Sequence, residues 1–157
     1  MEFIYRCATP LGGVLLSSDG EALTGLWFEG QKHFARTIGS ERTERELAVF
    51  QETERWLSVY FSGREPDFRP LLALRGTTFQ KQVWERLLAI PYGSTVSYGA
   101  LLGGSARAVG ATVGRNPISI LVPCHRVLAA DGSLHGYAGG VERKRSLLLL
   151  EGVRLKK

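Results

Sequence analysis

Cys124 and His125 stand side by side at the end of an apolar run, Ile118 to Val122, and carry the chemistry this sequence offers. A cysteine attacks as its thiolate, and His125, Arg126 or a nearby helix end could lower the thiol pKa enough to populate that form. An imidazole base needs an orienting partner. Glu151 follows the apolar run Leu147 to Leu150 and precedes Gly152, which places a carboxylate at a helix terminus, free to hold an imidazole by a hydrogen bond. The same residues have a plainer reading, Cys124 as a buried, inert small hydrophobe and Glu151 as an exposed helix-end carboxylate. The second cysteine, Cys7, falls in a predicted strand and reads as inert. Neither cysteine has C-x-x-C spacing, and His33 and His135 have no ligand cluster around them, so no disulfide, metal or cofactor is expected.

The elements that must position these residues change character along the chain. Phe3 to Tyr5, Gly12-Gly13 running into Val14 to Leu16, and Leu23 to Phe28 after an Asp19-Gly20 turn predict a small antiparallel sheet. Thr43-x-x-Glu46 reads as a capping box, opening a helix with Leu47, Phe50, Leu57 and Phe61 at helical spacing and Gly63 as its stop; Trp56 and Tyr60 lie on or beside the same face. Glu65-Pro66-Asp67-Phe68-Arg69-Pro70 breaks any helix and marks a join near residue 75. A second capping box, Thr77-x-x-Gln80, opens a helix that turns Phe79, Val83, Trp84, Leu87 and Leu88 inward and ends at Pro91-Tyr92-Gly93. Two short helices, Ser97 to Leu102 and Ala106 to Val113, with Gly103-Gly104 between them, form a compressed helix-turn-helix pattern. The expected fold is α+β: a small N-terminal antiparallel sheet plus helix over residues 1–75, then a mostly α-helical C-terminal domain with a shortened helix-turn-helix over 76–157.

Charge is distributed unevenly between these halves. The chain of 157 residues carries +5 overall, but residues 1–75 hold nine Lys/Arg against eleven Asp/Glu, a net −2, and residues 76–157 hold eleven against four, a net +7. A basic half favours a polyanion, since neutralising phosphates releases counterions, although a merely soluble basic surface has the same signature. No apolar run is long enough to span a bilayer and the N-terminus lacks the order of a signal peptide, so a soluble, cytoplasmic protein with no membrane partner is expected.

Pro123-Cys124-His125-Arg126-Val127, preceded by Asn116-Pro117 and followed by Gly136-Tyr137-Ala138-Gly139-Gly140 and then Leu-Leu-x-x-Glu-Gly, resembles the O6-alkylguanine-DNA alkyltransferases. The likeness reaches upstream through Pro91-Tyr92-Gly93, Val96-Ser97-Tyr98 and Ala106-Arg107-Ala108-Val109-Gly110, covering residues 77–152 in unbroken order; the N-terminal part matches only loosely. The resemblance implies a suicide DNA repair protein in which Cys124 takes the alkyl group of O6-alkylguanine, and of O4-alkylthymine, once per molecule. It further implies His125 as base through a water, Glu151 orienting His125, and Asn116 bracing the turn. Tyr98 would hydrogen-bond ring N3 of the departing guanine, Tyr137 would shape the alkyl pocket with Gly139, and the carbonyls of Cys124 and Val127 would read the exocyclic amine. Arg107 would be the finger that fills the stack when the nucleotide flips out, on a helix whose small residues Ala106, Ala108, Gly110 and Ala111, with Arg115, press on DNA.

These residue types suit that reaction. Displacing an alkyl group from an aryl-ether-like oxygen needs a soft nucleophile, a base and a donor to the leaving group, and the target must leave the duplex to be reached. Tyr98 and Tyr137 could instead be ordinary core aromatics and Arg107 a plain phosphate contact. In one place the chain departs from the resemblance: between Tyr98 and Arg107 it has only Gly-Ala-Leu-Leu-Gly-Gly-Ser-Ala, several residues fewer than is usual there, which truncates the first helix of the pair. The expected partner is double-stranded DNA containing alkylated bases, bound by a monomer. The rival functions are a catalytically silent lesion-binding relative, which the retained Cys124 and His125 disfavour, and a Cys-His-Glu hydrolase, which would turn over.

Overall fold

The computed structural model describes residues 1–101, 106–134 and 136–155. The chain divides into two compact units, Met1–Arg75 with Pro117–Ser119, and Gly76–Asn116 with Ile120–Lys157. The architecture is α+β, with a four-stranded sheet in the first unit and most of the helix, with a two-stranded ladder, in the second. No helix among the described residues is long and apolar enough to cross a membrane.

In the first unit, β1 (Glu2–Thr9), β2 (Gly12–Ser18), β3 (Leu23–Phe28) and β4 (Arg42–Glu44) form a sheet in the order β3-β2-β1-β4. β1 and β2 pair antiparallel from Phe3 opposite Ser18 to Thr9 opposite Gly12. The Asp19 carboxylate closes the β2–β3 turn by accepting the Glu21 and Ala22 N–H groups, each at 2.9 Å. α1 (Ala48–Phe61) covers one face, where Phe50 stacks on Tyr5 at 5.7 Å; Ile4, Leu15, Trp27, Ala35 and Ile38 form a buried cluster on the sheet. Gly63 adopts φ +90° just past α1 and supplies the expected stop.

Two features of this unit differ from the sequence expectation. Thr43 does not cap a helix: it lies in β4, opposite Phe3 in a parallel pairing, and α1 begins after Leu47 with no side-chain cap. Edge pairing with β1 satisfies several backbone groups at once, which outweighs one local capping bond. The stretch after Pro70 is not a bare connector either. Leu23 N–H donates to Leu71 and Ala73 N–H to Leu23, while Leu26 exchanges bonds with Pro117 and Ser119, so two short excursions of the chain cover the outer edge of β3. With that edge occupied, every residue of β3 is buried. Cys7 lies half-buried in β1, and burial followed by the charge of Glu54 pushes its thiol up to about 11, so it stays protonated at neutral pH.

The second unit contains α2 (Thr78–Leu88), β5 (Val96–Ser97), α3 (Tyr98–Leu101), α4 (Ala106–Val113), a 3₁₀ turn at Cys124–Arg126, β6 (Val127–Leu128) and α5 (Val141–Leu150). The Thr77–Gln80 capping box forms in both directions and starts α2. Val83, Trp84 and Leu87 are buried, with the Trp84 indole N–H donating to Thr112 at 3.0 Å. Phe79, expected inside, is 40% exposed, because the first turn of α2 reaches past the packing that buries the later turns. α4 spans the expected residues, whereas α3 is a single turn; the expected Gly103-Gly104 turn lies outside the described residues, as do His135 and the side chain of Ala106.

Candidate active site

The whole site is built from the second unit and begins with the loop that delivers Cys124. Ile120, buried and β-branched, holds φ +72°, a left-handed conformation that such residues rarely adopt outside constrained sites. Pro123, at φ −82° and ψ 63°, forms an inverse γ-turn in which Cys124 N–H donates to Val122 O at 2.8 Å. Asn116 Nδ2 donates to the same carbonyl at 2.7 Å, so its side chain ties the two ends of the loop together. Cys124 follows, buried, as the first residue of the 3₁₀ turn, and its own carbonyl accepts the Val127 N–H. Val127 then pairs with Val96 in a two-stranded parallel ladder.

Burial raises the Cys124 thiol to about 11, against smaller lowering effects from the Asn116 hydrogen bond and the charge of Lys144. The sequence suggested that Arg126 would help acidify this thiol, and here the structure differs. Arg126 turns to Glu151, with Nε on Oε1 at 2.8 Å and Nη2 on Oε2 at 3.2 Å, while Nη1 donates to Ile90 O at 2.7 Å. A guanidinium fork satisfies a buried carboxylate far better than a lone thiol does.

Glu151 caps α5 and is the hub of this network. Besides Arg126 it accepts the Gly93 N–H at 2.9 Å and contacts His125 Nε2 at 2.6 Å. Burial favours the neutral acid, but the bonds from His125, Arg126 and Gly93 together outweigh it and hold the carboxyl at about 2. An ionised carboxylate only accepts, so Nε2 must carry the imidazole proton and the lone pair lies on Nδ1. Burial, the largest effect on His125, lowers its pKa against the opposing pull of Glu151, which keeps the ring neutral and able to take a proton.

Tyr98 opens α3, and burial followed by the charge of Cys124 pushes its hydroxyl up to about 12. Gly136 passes close to that hydroxyl at φ +81°; a Cβ there would lie 2.8 Å from the Tyr98 oxygen. Ser97, Tyr98, Arg107, Gly110, Ala129 and Gly136 are among the residues lining an open, mainly apolar cleft of about 480 Å³. α4 turns Val109, Thr112 and Val113 inward and leaves Arg107, Ala108 and Ala111 exposed, with exposed Arg115 just beyond its end. Tyr137 and Gly139 are buried, and the Gly139 carbonyl accepts from Arg143 Nη1 at 3.1 Å. Among the described residues no group of three or more His, Cys, Asp or Glu side chains could hold a metal.

The sequence reading missed Lys144. Its side chain is fully buried, with Nζ 3.5 Å from Tyr98 Oη and 5.6 Å from the ring centroid. The signal was its phase: Lys144 precedes Leu147, Leu148 and Glu151 by three, four and seven positions, which puts a cation on the buried face of α5.

Known proteins share both sequence and fold with this chain. Residues 78–153 match the family described as 6-O-methylguanine DNA methyltransferase, DNA binding domain. A methylated-DNA–protein-cysteine methyltransferase of Mycobacterium tuberculosis is 44% identical over 153 residues, covering 93% of this chain and 90% of that protein. One of the same name from Methanosarcina acetivorans is 44% identical over 150 residues, covering 92% and 94%. The crystal structure of Mycobacterium tuberculosis OGT in complex with DNA superposes with a TM-score of 0.86 at 42% identity, covering 95% of this chain and 92% of that one.

Proposed function

Since the chain belongs to the methylated-DNA–protein-cysteine methyltransferases, a family that repairs DNA by alkyl transfer, we propose that Cys124 is its acceptor and duplex DNA carrying O6-alkylguanine its substrate. The observation that carries this assignment is the arrangement behind the nucleophile: a neutral imidazole whose tautomer Glu151 fixes, in the residue next to a buried thiol. His125, through a water, takes the thiol proton on Nδ1. The sulfur then bonds to the alkyl carbon as the carbon–O6 bond breaks, the electron pair passes to the guanine, and the Tyr98 hydroxyl proton goes to ring N3. The product is a thioether with no easy hydrolytic exit, so each molecule acts once.

Access to the lesion follows from α4. Its exposed Ala108 and Ala111 permit close approach to a groove, and Arg107, on the rim of the cleft that holds Tyr98, replaces the extruded base in the stack. The net +7 of residues 76–157 supplies the phosphate attraction. We assign the protein to the cytoplasm and to a monomer, with O4-alkylthymine as a second substrate. The deciding experiment is intact-protein mass after mixing with duplex containing O6-methylguanine. One added methyl per chain, mapped to Cys124 and lost in Cys124→Ser, is expected; methyl on Cys7, or many products per protein, overturns the assignment.

A further inference from the structure

We propose that the cleft between the end of β1 and the second half of α1 is a binding site for a small organic cation, a primary ammonium carried on an apolar body. The cleft belongs to the first unit alone, so the proposal does not depend on the alkyl-transfer reading. Its volume, about 430 Å³, lies in the range of small-molecule sites.

The sequence of the two elements explains why the space is there. Tyr5, Cys7 and Thr9 share one face of β1, and Phe50, Glu54, Leu57, Ser58 and Phe61 recur on one face of α1 at helical spacing. Where two large rings meet, Phe50 stacks on Tyr5 at 5.7 Å and closes the gap between strand and helix. Further along, the strand offers only the short side chains of Cys7 and Thr9 while the helix runs on, and the cleft opens between them. Leu57 and Phe61 give it an apolar wall, and the Thr9 and Ser58 hydroxyls a polar rim.

The charge in the cleft selects the ligand. Among the described residues lining it, Glu54 alone is charged at neutral pH, and none of the ion pairs among the described residues includes it. Glu54 is half-buried, and its charge is the largest influence on the Tyr5 hydroxyl and, after burial, the next on the Cys7 thiol, raising both. Both groups therefore stay neutral at pH 7 and leave the carboxylate without a counter-ion. A primary ammonium supplies one: its three N–H donors match the Glu54 carboxylate and the Thr9 and Ser58 hydroxyls, while the attached ring or chain lies against Leu57 and Phe61. An anion is repelled by the same charge, and a bare metal ion finds no set of three or more ligating side chains among the described residues.

The test titrates benzylammonium chloride into isotope-labelled full-length protein at pH 7 and constant ionic strength, following backbone amide shifts by NMR. Benzyl alcohol serves as the uncharged ligand of the same size. Saturable shifts at Cys7, Thr9, Glu54, Leu57, Ser58 and Phe61 are expected, with a Kd of roughly 1 mM for so small a ligand. Benzyl alcohol on the parent, and benzylammonium on Glu54→Gln, should each bind about 10-fold more weakly, the loss of one charge-assisted hydrogen bond. The alcohol comparison, made on the parent protein, decides the matter if Glu54→Gln does not fold. Shifts that do not saturate, saturable shifts only outside these residues, or equal affinity for the ammonium and the alcohol overturn the proposal.

Discussion

Replacing Glu151 by glutamine keeps the size of the side chain and removes its charge, and the structure sets the cost. The fully buried carboxylate takes contacts from His125 Nε2, Arg126 Nε, Arg126 Nη2 and Gly93 N at 2.6, 2.8, 3.2 and 2.9 Å. An amide offers one acceptor oxygen and an N–H₂ that only donates, so Arg126, 9% exposed, keeps its charge without a counter-ion. Breaking a buried pair from one side costs about 3–5 kcal/mol. Linkage gives a similar figure, since a carboxyl held at about 2 against an ordinary 4.5 corresponds to about 3 kcal/mol. Because the folded value lies below the unfolded one, that stability is fully present above pH 4.5 and is lost as pH falls through about 2.

At about 2–4 °C per kcal/mol for a chain of this size, the linkage figure of about 3 kcal/mol means that Glu151→Gln should melt roughly 6–12 °C lower at pH 7 and lose this part of the acid dependence. Its alkyl transfer should slow as well. Exchanging a charge-assisted bond to the imidazolium for a neutral one forfeits about 1–2 kcal/mol, or roughly 5- to 30-fold in rate. The loss grows if the amide donates to Nε2, since the proton then moves to Nδ1 and the base loses its lone pair. The assay is benzyl transfer from O6-benzylguanine across pH, with melting curves in parallel. Variant and parent should converge only as pH nears the Cys124 value of about 11, well above the 8.5 or so of a free thiol. An unchanged melting temperature would show that Arg126 does not depend on this carboxylate. A pH-independent deficit would point to displacement of Cys124, and no deficit would remove Glu151 from the chemistry.

Two further outcomes test the loop and the DNA-facing helix. Asn116→Ala removes the 2.7 Å bond to Val122 O, and should cost about 1–3 kcal/mol while slowing transfer from free base and duplex alike, read by melting and by mass. Arg107→Ala should slow repair in duplex more than transfer from free O6-benzylguanine, which needs no extrusion, and binding of the parent to undamaged duplex should weaken as salt rises; equal loss on both substrates would place Arg107 in support of the pocket.

Local sequence determined the parts of this protein that depend on neighbouring residues alone. The Thr77–Gln80 capping box, the Asp19-Gly20 turn and the stop at Gly63 are each satisfied within a few residues, so their types and spacing were enough. Cys124 beside His125, with Glu151 at a helix end, was legible for the same reason: the chemistry needs those side chains whatever surrounds them. What the tertiary structure decided is every choice between competing partners. Thr43 had a capping role to play and an edge strand to join, and the ladder with β1 prevailed. Arg126 had a thiol and a carboxylate within its reach in sequence terms, and the buried Glu151 took it. Phe79 shows the helical spacing of a core residue, yet inwardness needs an element facing that turn. Lys144 was visible as a charge out of place on an apolar face, but only folding, by bringing Tyr98 and Cys124 to it from distant positions, turned that irregularity into part of a site.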